Sequence, residues 1–188
     1  MHPRPTFARI LRLLATACLG LAVAAPGFAS SPAPATPPAP TMVKLDGADL
    51  FALGFDKLSA FDYTIVDAGT GATPEQISAA EKRDQVPAWV HFYDAKHVVL
   101  TGYVMPLQVE NGLSKKFVMM KDVNTCCYGA VPNMNDYVVV TMDGPGIVAV
   151  QDVPVALIGV FHVAQKYEGG YVTQLYHLDG EKFLGPKK

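Results

Sequence analysis

Cys126 and Cys127 are the residues of this chain best suited to chemistry, and they stand next to each other in Asn124-Thr125-Cys126-Cys127-Tyr128-Gly129. Neighbouring Cα atoms lie about 3.8 Å apart, whereas a disulfide usually needs roughly 4.4–6.8 Å. A bridge between the two would therefore be strained and easily reduced, while two thiolates make a soft, electron-rich clamp for Cu or Zn. Four uses stay open: a thiolate metal site, a redox-active vicinal pair, linkage to another chain, and reduced structural thiols.

Two sulfurs do not complete a tetrahedral zinc site. His91, His97, His162 and His177 are the nitrogen candidates, and His162 stands out because it interrupts an apolar strand face. Copper(I) needs fewer, softer ligands. Met105, Met119, Met120, Met134 and Met142 lie in the segments around the cysteines, which favours copper slightly. The metal set expected from the sequence is thus Cys126, Cys127, His162, Met119 and Met134. Methionine in a strand is also an ordinary core filler.

No catalytic residues are assigned. The chain has no Gly-x-Ser-x-Gly elbow, His-Glu-x-x-His helix or glycine-rich phosphate loop. Asp46-Gly47, Asp143-Gly144 and Asp179-Gly180 read first as turns. Tyr103, Phe117, Tyr128, Tyr137, Tyr171 and Tyr176 offer an aromatic surface for a ligand or partner protein, although small β domains also need aromatics inside.

The elements that must position these groups begin after an export signal. Arg4, Arg9 and Arg12, the apolar run Leu13–Ala25 and the small-x-small Gly27-Phe28-Ala29 predict a signal peptide over residues 1–29, cleaved before Ser30. The mature protein is then periplasmic or otherwise exported and not integral to the membrane; lipid attachment at Cys18 is the alternative. Cleavage leaves 12 basic against 17 acidic side chains, a formal −5, which speaks against a nucleic-acid partner. Residues 30–41 form a Pro/Ala-rich linker, extended and unable to bury a core. Residues 42–188 are long enough for one hydrophobic core.

Thr73-Pro74-Glu75-Gln76 has capping-box spacing, so a helix is expected over Pro74–Asp84, ending before Pro87. Ahead of it, residues 45–66 read as an arm with one short strand near Tyr63–Val66. After Lys96, turn residues separate five strands: His97–Met105, Lys116–Lys121, Tyr137–Met142, Val153–Lys166 and Tyr171–Leu178. Asn111-Gly112 predicts a hairpin between the first two. The fold class expected is mainly β, an OB-like five-stranded antiparallel barrel with an N-terminal arm and one short helix. Both faces of the fourth strand are apolar, so the arm or helix is expected to cover its outer side.

The run Thr101-Gly102-Tyr103-Val104-Met105-Pro106-Leu107, then Phe117-Val118-Met119-Met120, then Cys126-Cys127-Tyr128-Gly129, Pro132 and Tyr137-Val138-Val139-Val140 resembles the exported bacterial family called domain of unknown function 3299. The ending Gly170-Tyr171 through Tyr176-His177-Leu178-Asp179-Gly180 is similar too, so the resemblance spans roughly residues 54–183. It implies a periplasmic or surface OB-like domain with no assigned catalytic residues. It also implies a transport or envelope protein partner, with a link to divalent metals. Another branch of the family carries Cys-x-His in the corresponding loop; here Cys126-Cys127-Tyr128 stands there, so no histidine ligand transfers to position 128.

Overall fold

The computed structural model describes residues 39–65, 67–124, 131–148, 150 and 152–186. The segments expected to be a signal peptide and, for the most part, a linker lie outside these residues, as do Cys18, Cys126, Cys127 and Tyr128.

Among the described residues ten elements follow one another: β1 Thr41–Leu45, β2 Ala48–Leu53, α1 Phe55–Leu58, α2 Pro74–Glu81, α3 Ala88–His91, β3 Lys96–Glu110, β4 Leu113–Met120, β5 Tyr137–Met142, β6 Val155–Glu168 and β7 Tyr171–Pro186. The chain is mainly β, and each of the five strands expected after Lys96 has its counterpart in β3 to β7. Asn111 and Gly112 take φ of 53° and 78° and turn β3 onto β4. Positive φ at both central positions gives the turn the twist that flanking strands need. The capping box at Thr73 also forms: its hydroxyl accepts from Gln76 N at 3.4 Å, and Gln76 Oε1 accepts from Thr73 N at 2.9 Å.

The strands make one sheet in the order β1-β2-β3-β4-β5-β7-β6, and β6 pairs back onto β3. Five strands, β3 to β7, therefore close into a hydrogen-bonded ring. The pairing is not wholly antiparallel as expected: β5 and β7 run parallel, with Val139 opposite His177 and Met142 opposite Gly180. Parity requires this. Strand directions cannot alternate all the way round a ring with an odd number of members, so at least one pair must be parallel.

The arm also departs from expectation. Residues Tyr63–Ile65 form no strand, because the Gln85 side chain satisfies the Thr64 backbone directly, accepting from its N at 3.2 Å and donating to its O at 2.7 Å. The strands of the arm are instead β1 and β2, joined at Asp46-Gly47 with φ of 50° and 85°. The β2 strand adds to the ring in parallel with Val98–Leu100 of β3. Lys182 of β7 pairs with Asp46 at the hairpin turn, and Ile158 on the outer side of β6 is buried. Helices α1 and α3 were not foreseen; each is a single short turn.

Side chains from the ring, α1 and α3 build the core, including Leu58, Val90, Leu100, Phe117, Met119, Leu157, Phe161, Tyr176 and Leu178. The Tyr176 hydroxyl donates to Leu58 O at 3.1 Å, which ties α1 to the ring, and burial raises its phenol pKa strongly. Gly159 sits where the backbone of β7 approaches β6 closely. A Cβ there would lie 2.2 Å from Asp179 O.

Candidate functional site

The segment that carries the cysteines joins β4 to β5 through residues 121–136. The other two direct connections within the ring's hairpins are the short turns at Asn111-Gly112 and Gly169-Gly170. Connections beyond roughly 12–15 residues are uncommon in compact domains unless they carry secondary structure, and are usually either functional or linker segments.

Both ends of this connection are clamped together. Lys121 N donates to Asp136 O at 3.0 Å, and Lys121 Nζ lies 3.4 Å from Asp136 Oδ1. Asn133 donates twice to Asp136 Oδ2, from its backbone N at 3.3 Å and from Nδ2 at 2.8 Å. Asn135, only 3 % exposed, donates to Phe61 O at 2.7 Å and accepts from Ser59 Oγ on its own carbonyl at 3.0 Å. Burial works against the charge on Asp136. Hydrogen bonds from Ser59 and Asn133 and the Lys121 ammonium outweigh it and hold the carboxyl below its usual range. At the other end Asp122 Oδ1 accepts from Asn124 N at 2.9 Å, a local turn just ahead of the cysteines.

The expected ligands fall into different surroundings. Met119 is fully buried in the core beside Gly102, where an added Cβ would lie 3.5 Å from its Cε. Met134 belongs to the clamped connection itself; its side chain is buried and its sulfur lies 3.2 Å from the Tyr137 hydroxyl, whose single proton it shares at best with Thr173 O. His162 lies half-buried on the outer face of β6, directly opposite His177 of β7. Its Nε2 is 3.1 Å from Asp179 Oδ2, while His177 Nε2 is 3.1 Å from Asp179 Oδ1. One carboxylate thus engages both rings. Asp94, which accepts from Val163 N at 2.9 Å, lies 4.0 Å from His162 Nδ1.

The other two histidines among the described residues are matched in the same way, His97 Nε2 with Glu181 at 3.0 Å and His91 Nε2 with Asp84 at 2.6 Å. Among the described residues, no group of three or more His, Cys, Asp or Glu side chains is arranged to hold a metal ion. Cys126 and Cys127 fall outside them. A carboxylate against a ring nitrogen fixes the orientation of the imidazole.

The aromatic surface expected from the sequence does not assemble as a unit. Phe117 and Tyr176 are core residues, while Tyr171 is exposed and Tyr137 is turned inward to donate to Thr173 O at 3.1 Å. Sequence reasoning missed the clamp at Asp136, the shared carboxylate of Asp179 and the burial of Lys57. Asn133-x-Asn135-Asp136 carried a signal, since three short amide or carboxylate side chains together mark local side-chain to backbone bonding. Nothing local marked Lys57.

A groove of about 930 Å³ is lined by α1, the β1–β2 hairpin, β3, β6 and Lys121 of the clamp. A second depression, about 540 Å³, surrounds His162 and His177 with Lys116 and Lys166 at its edges.

No family model and no curated protein matches the chain. Among solved structures it is similar to the crystal structure of a DUF3299 family protein from Pseudomonas aeruginosa PAO1, with 19 % identity, a TM-score of 0.45, and coverage of 73 % of this chain and 95 % of that chain. The family named there is the one whose order of motifs the sequence resembles.

Proposed function

We propose that the chain is an exported binding or accessory protein, built on an OB-like barrel, that handles Cu or Zn through Cys126 and Cys127. The observation that carries this reading is the long connection at residues 121–136, drawn together at its base by the Asp136 clamp. Tying the two ends lowers the conformational freedom of whatever lies between them, and a site held on a rigid scaffold loses less entropy when it closes on an ion. The OB-like reading draws support from the ring order β3-β4-β5-β7-β6 with its one parallel pair.

Metal binding at the pair rests on donor chemistry. Adjacent thiolates suit Cu(I), and with added nitrogen or water ligands they suit Zn(II). Met134 stands on the same connection, so its thioether is a soft donor that the connection itself carries. Its present bond to the Tyr137 hydroxyl is weak enough to give way. His162 is bound to Asp179 and joins a metal only if that carboxylate releases it or binds alongside it. The envelope or transport partner belongs to the same proposal, since an accessory protein must pass its ion on. No helix among the described residues is long and apolar enough to cross a membrane.

The test uses the mature chain beginning at Ser30, with fully reduced thiols, titrated with Cu(I) or Zn(II) against a competing chelator. About one equivalent is expected to bind, and Cys126→Ser or Cys127→Ser is expected to abolish binding with the far-UV spectrum unchanged. Absence of binding to either ion, with two thiols that instead oxidise to an intramolecular bond, overturns the metal reading in favour of a thiol-disulfide role.

A further inference from the structure

Lys57 lies on α1 with its side chain only 8 % exposed, and it lines the groove of about 930 Å³. Lysine is almost never buried without a partner. Among the described residues its ammonium meets Asp56 Oδ2 at 3.4 Å, and that carboxylate is 66 % exposed. A charge-assisted bond of full strength spans roughly 2.7–2.9 Å, and an ammonium carries three donors. Lys57 is therefore under-satisfied where it sits, while its partner is largely in water. Lys121 also lines the groove, but its ammonium is already paired with Asp136.

The rest of the groove has the opposite character. Val43 and Leu45 of β1, Ala52 of β2, Val99 of β3, Ala156 of β6 and Leu184 of β7 form an apolar trough between the hairpin and the ring. Its volume falls at the upper end of the roughly 300–1,000 Å³ typical of small-molecule sites. Apolar walls that end at a buried cation match one kind of molecule, an alkyl chain with an anionic head. Burying the chain removes apolar surface from water, and the head supplies the close acceptor that Lys57 lacks.

We propose that this groove binds a single-chain amphiphile bearing a carboxylate, a fatty acid, with its head on Lys57 and its chain along Val99 and Ala156. The proposal does not rest on the cysteine pair, and its test does not involve a metal. Neither Lys57 nor the trough belongs to the clamp at Asp136. Gly54 assists by lacking a side chain, because a Cβ there would lie 2.5 Å from Asp56 Oδ1.

The experiment is calorimetric titration of the mature chain with decanoate and, separately, with decanol below their aggregation limits. Decanoate is expected to bind saturably, one molecule per chain, and decanol more weakly. Lys57→Met is expected to weaken decanoate by about tenfold to a hundredfold, the range for a lost charged hydrogen bond, while leaving decanol unchanged. Ala156→Trp, which fills the trough but keeps Lys57, is expected to abolish binding of both and keeps the test decisive if Lys57→Met does not fold. Equal decanoate binding by wild type and either folded variant overturns the proposal. So does a lack of binding by wild type. Dimerisation that Ala156→Trp removes, without decanoate binding, assigns the groove to a second copy and also overturns it.

Discussion

Removing the Asp136 carboxylate tests whether the base of the cysteine connection is held as described. Asp136 is 14 % exposed at its side chain and accepts from Asn133 Nδ2 at 2.8 Å, from Asn133 N at 3.3 Å and from Lys121 Nζ at 3.4 Å. Only the first is short enough to count at full strength. A hydrogen bond to a charged group contributes about 1.5–3 kcal/mol, and the half-exposed Lys121 adds little after screening. Asp136→Ala should therefore cost about 2 kcal/mol, or roughly 4–8 °C in Tm for a domain of this size. Asp136→Asn keeps an acceptor for Asn133 and should cost about half as much. The pH dependence has a definite sign. The folded carboxyl titrates below its unfolded counterpart, so its contribution is present above the unfolded value, around pH 4, and is lost as pH falls through the folded value. Urea unfolding at neutral and acid pH should show wild type losing this increment on acidification and Asp136→Asn having none to lose. Amide exchange across residues 121–136 should quicken in both variants at neutral pH. Variants with unchanged stability, the same acid slope as wild type and unaltered exchange would refute the clamp.

Two further outcomes concern the scaffold. Gly159→Ala should destabilise by about 3 kcal/mol or more, or block folding, because its Cβ would press on Asp179 O in the β6–β7 register; thermal melts and soluble yield decide it, and a neutral effect would mean the register is looser than described. The Tyr137 phenol, pushed up to about 12 by burial with the Tyr63 charge adding to it, should stay protonated in ultraviolet titration after exposed tyrosines have ionised. Its contribution to stability is complete below the ordinary phenol range near pH 10 and fades as pH rises towards its folded value. Titration with the exposed tyrosines would contradict its inward position.

What the residues determine by themselves is whatever depends on near neighbours. Asn111-Gly112 must turn, since both positions take positive φ at little steric cost, and Thr73 with Gln76 must cap a helix, because the bonding groups lie three residues apart. Alternating apolar residues placed the five strands of the ring, and the adjacent cysteines named a candidate chemistry. Other features depended on contacts distant in sequence. Asp179-Gly180 reads locally as a turn, yet it lies inside β7, where a Cβ on Gly180 would be 2.5 Å from Met142 Sδ. The glycine is there for closeness, not for bending. The parallel β5–β7 pair follows from closing an odd ring, a property of five strands that no single strand carries. Gln85 takes the hydrogen bonds that a strand at Tyr63–Ile65 would have needed, because the fold brings it to Thr64 from 21 positions away. Lys57 reads as a solvated surface lysine until α1 is set against β3 and the hairpin. Burial is a property of the assembled neighbours, so an under-satisfied ammonium at the end of an apolar groove exists only in the tertiary structure.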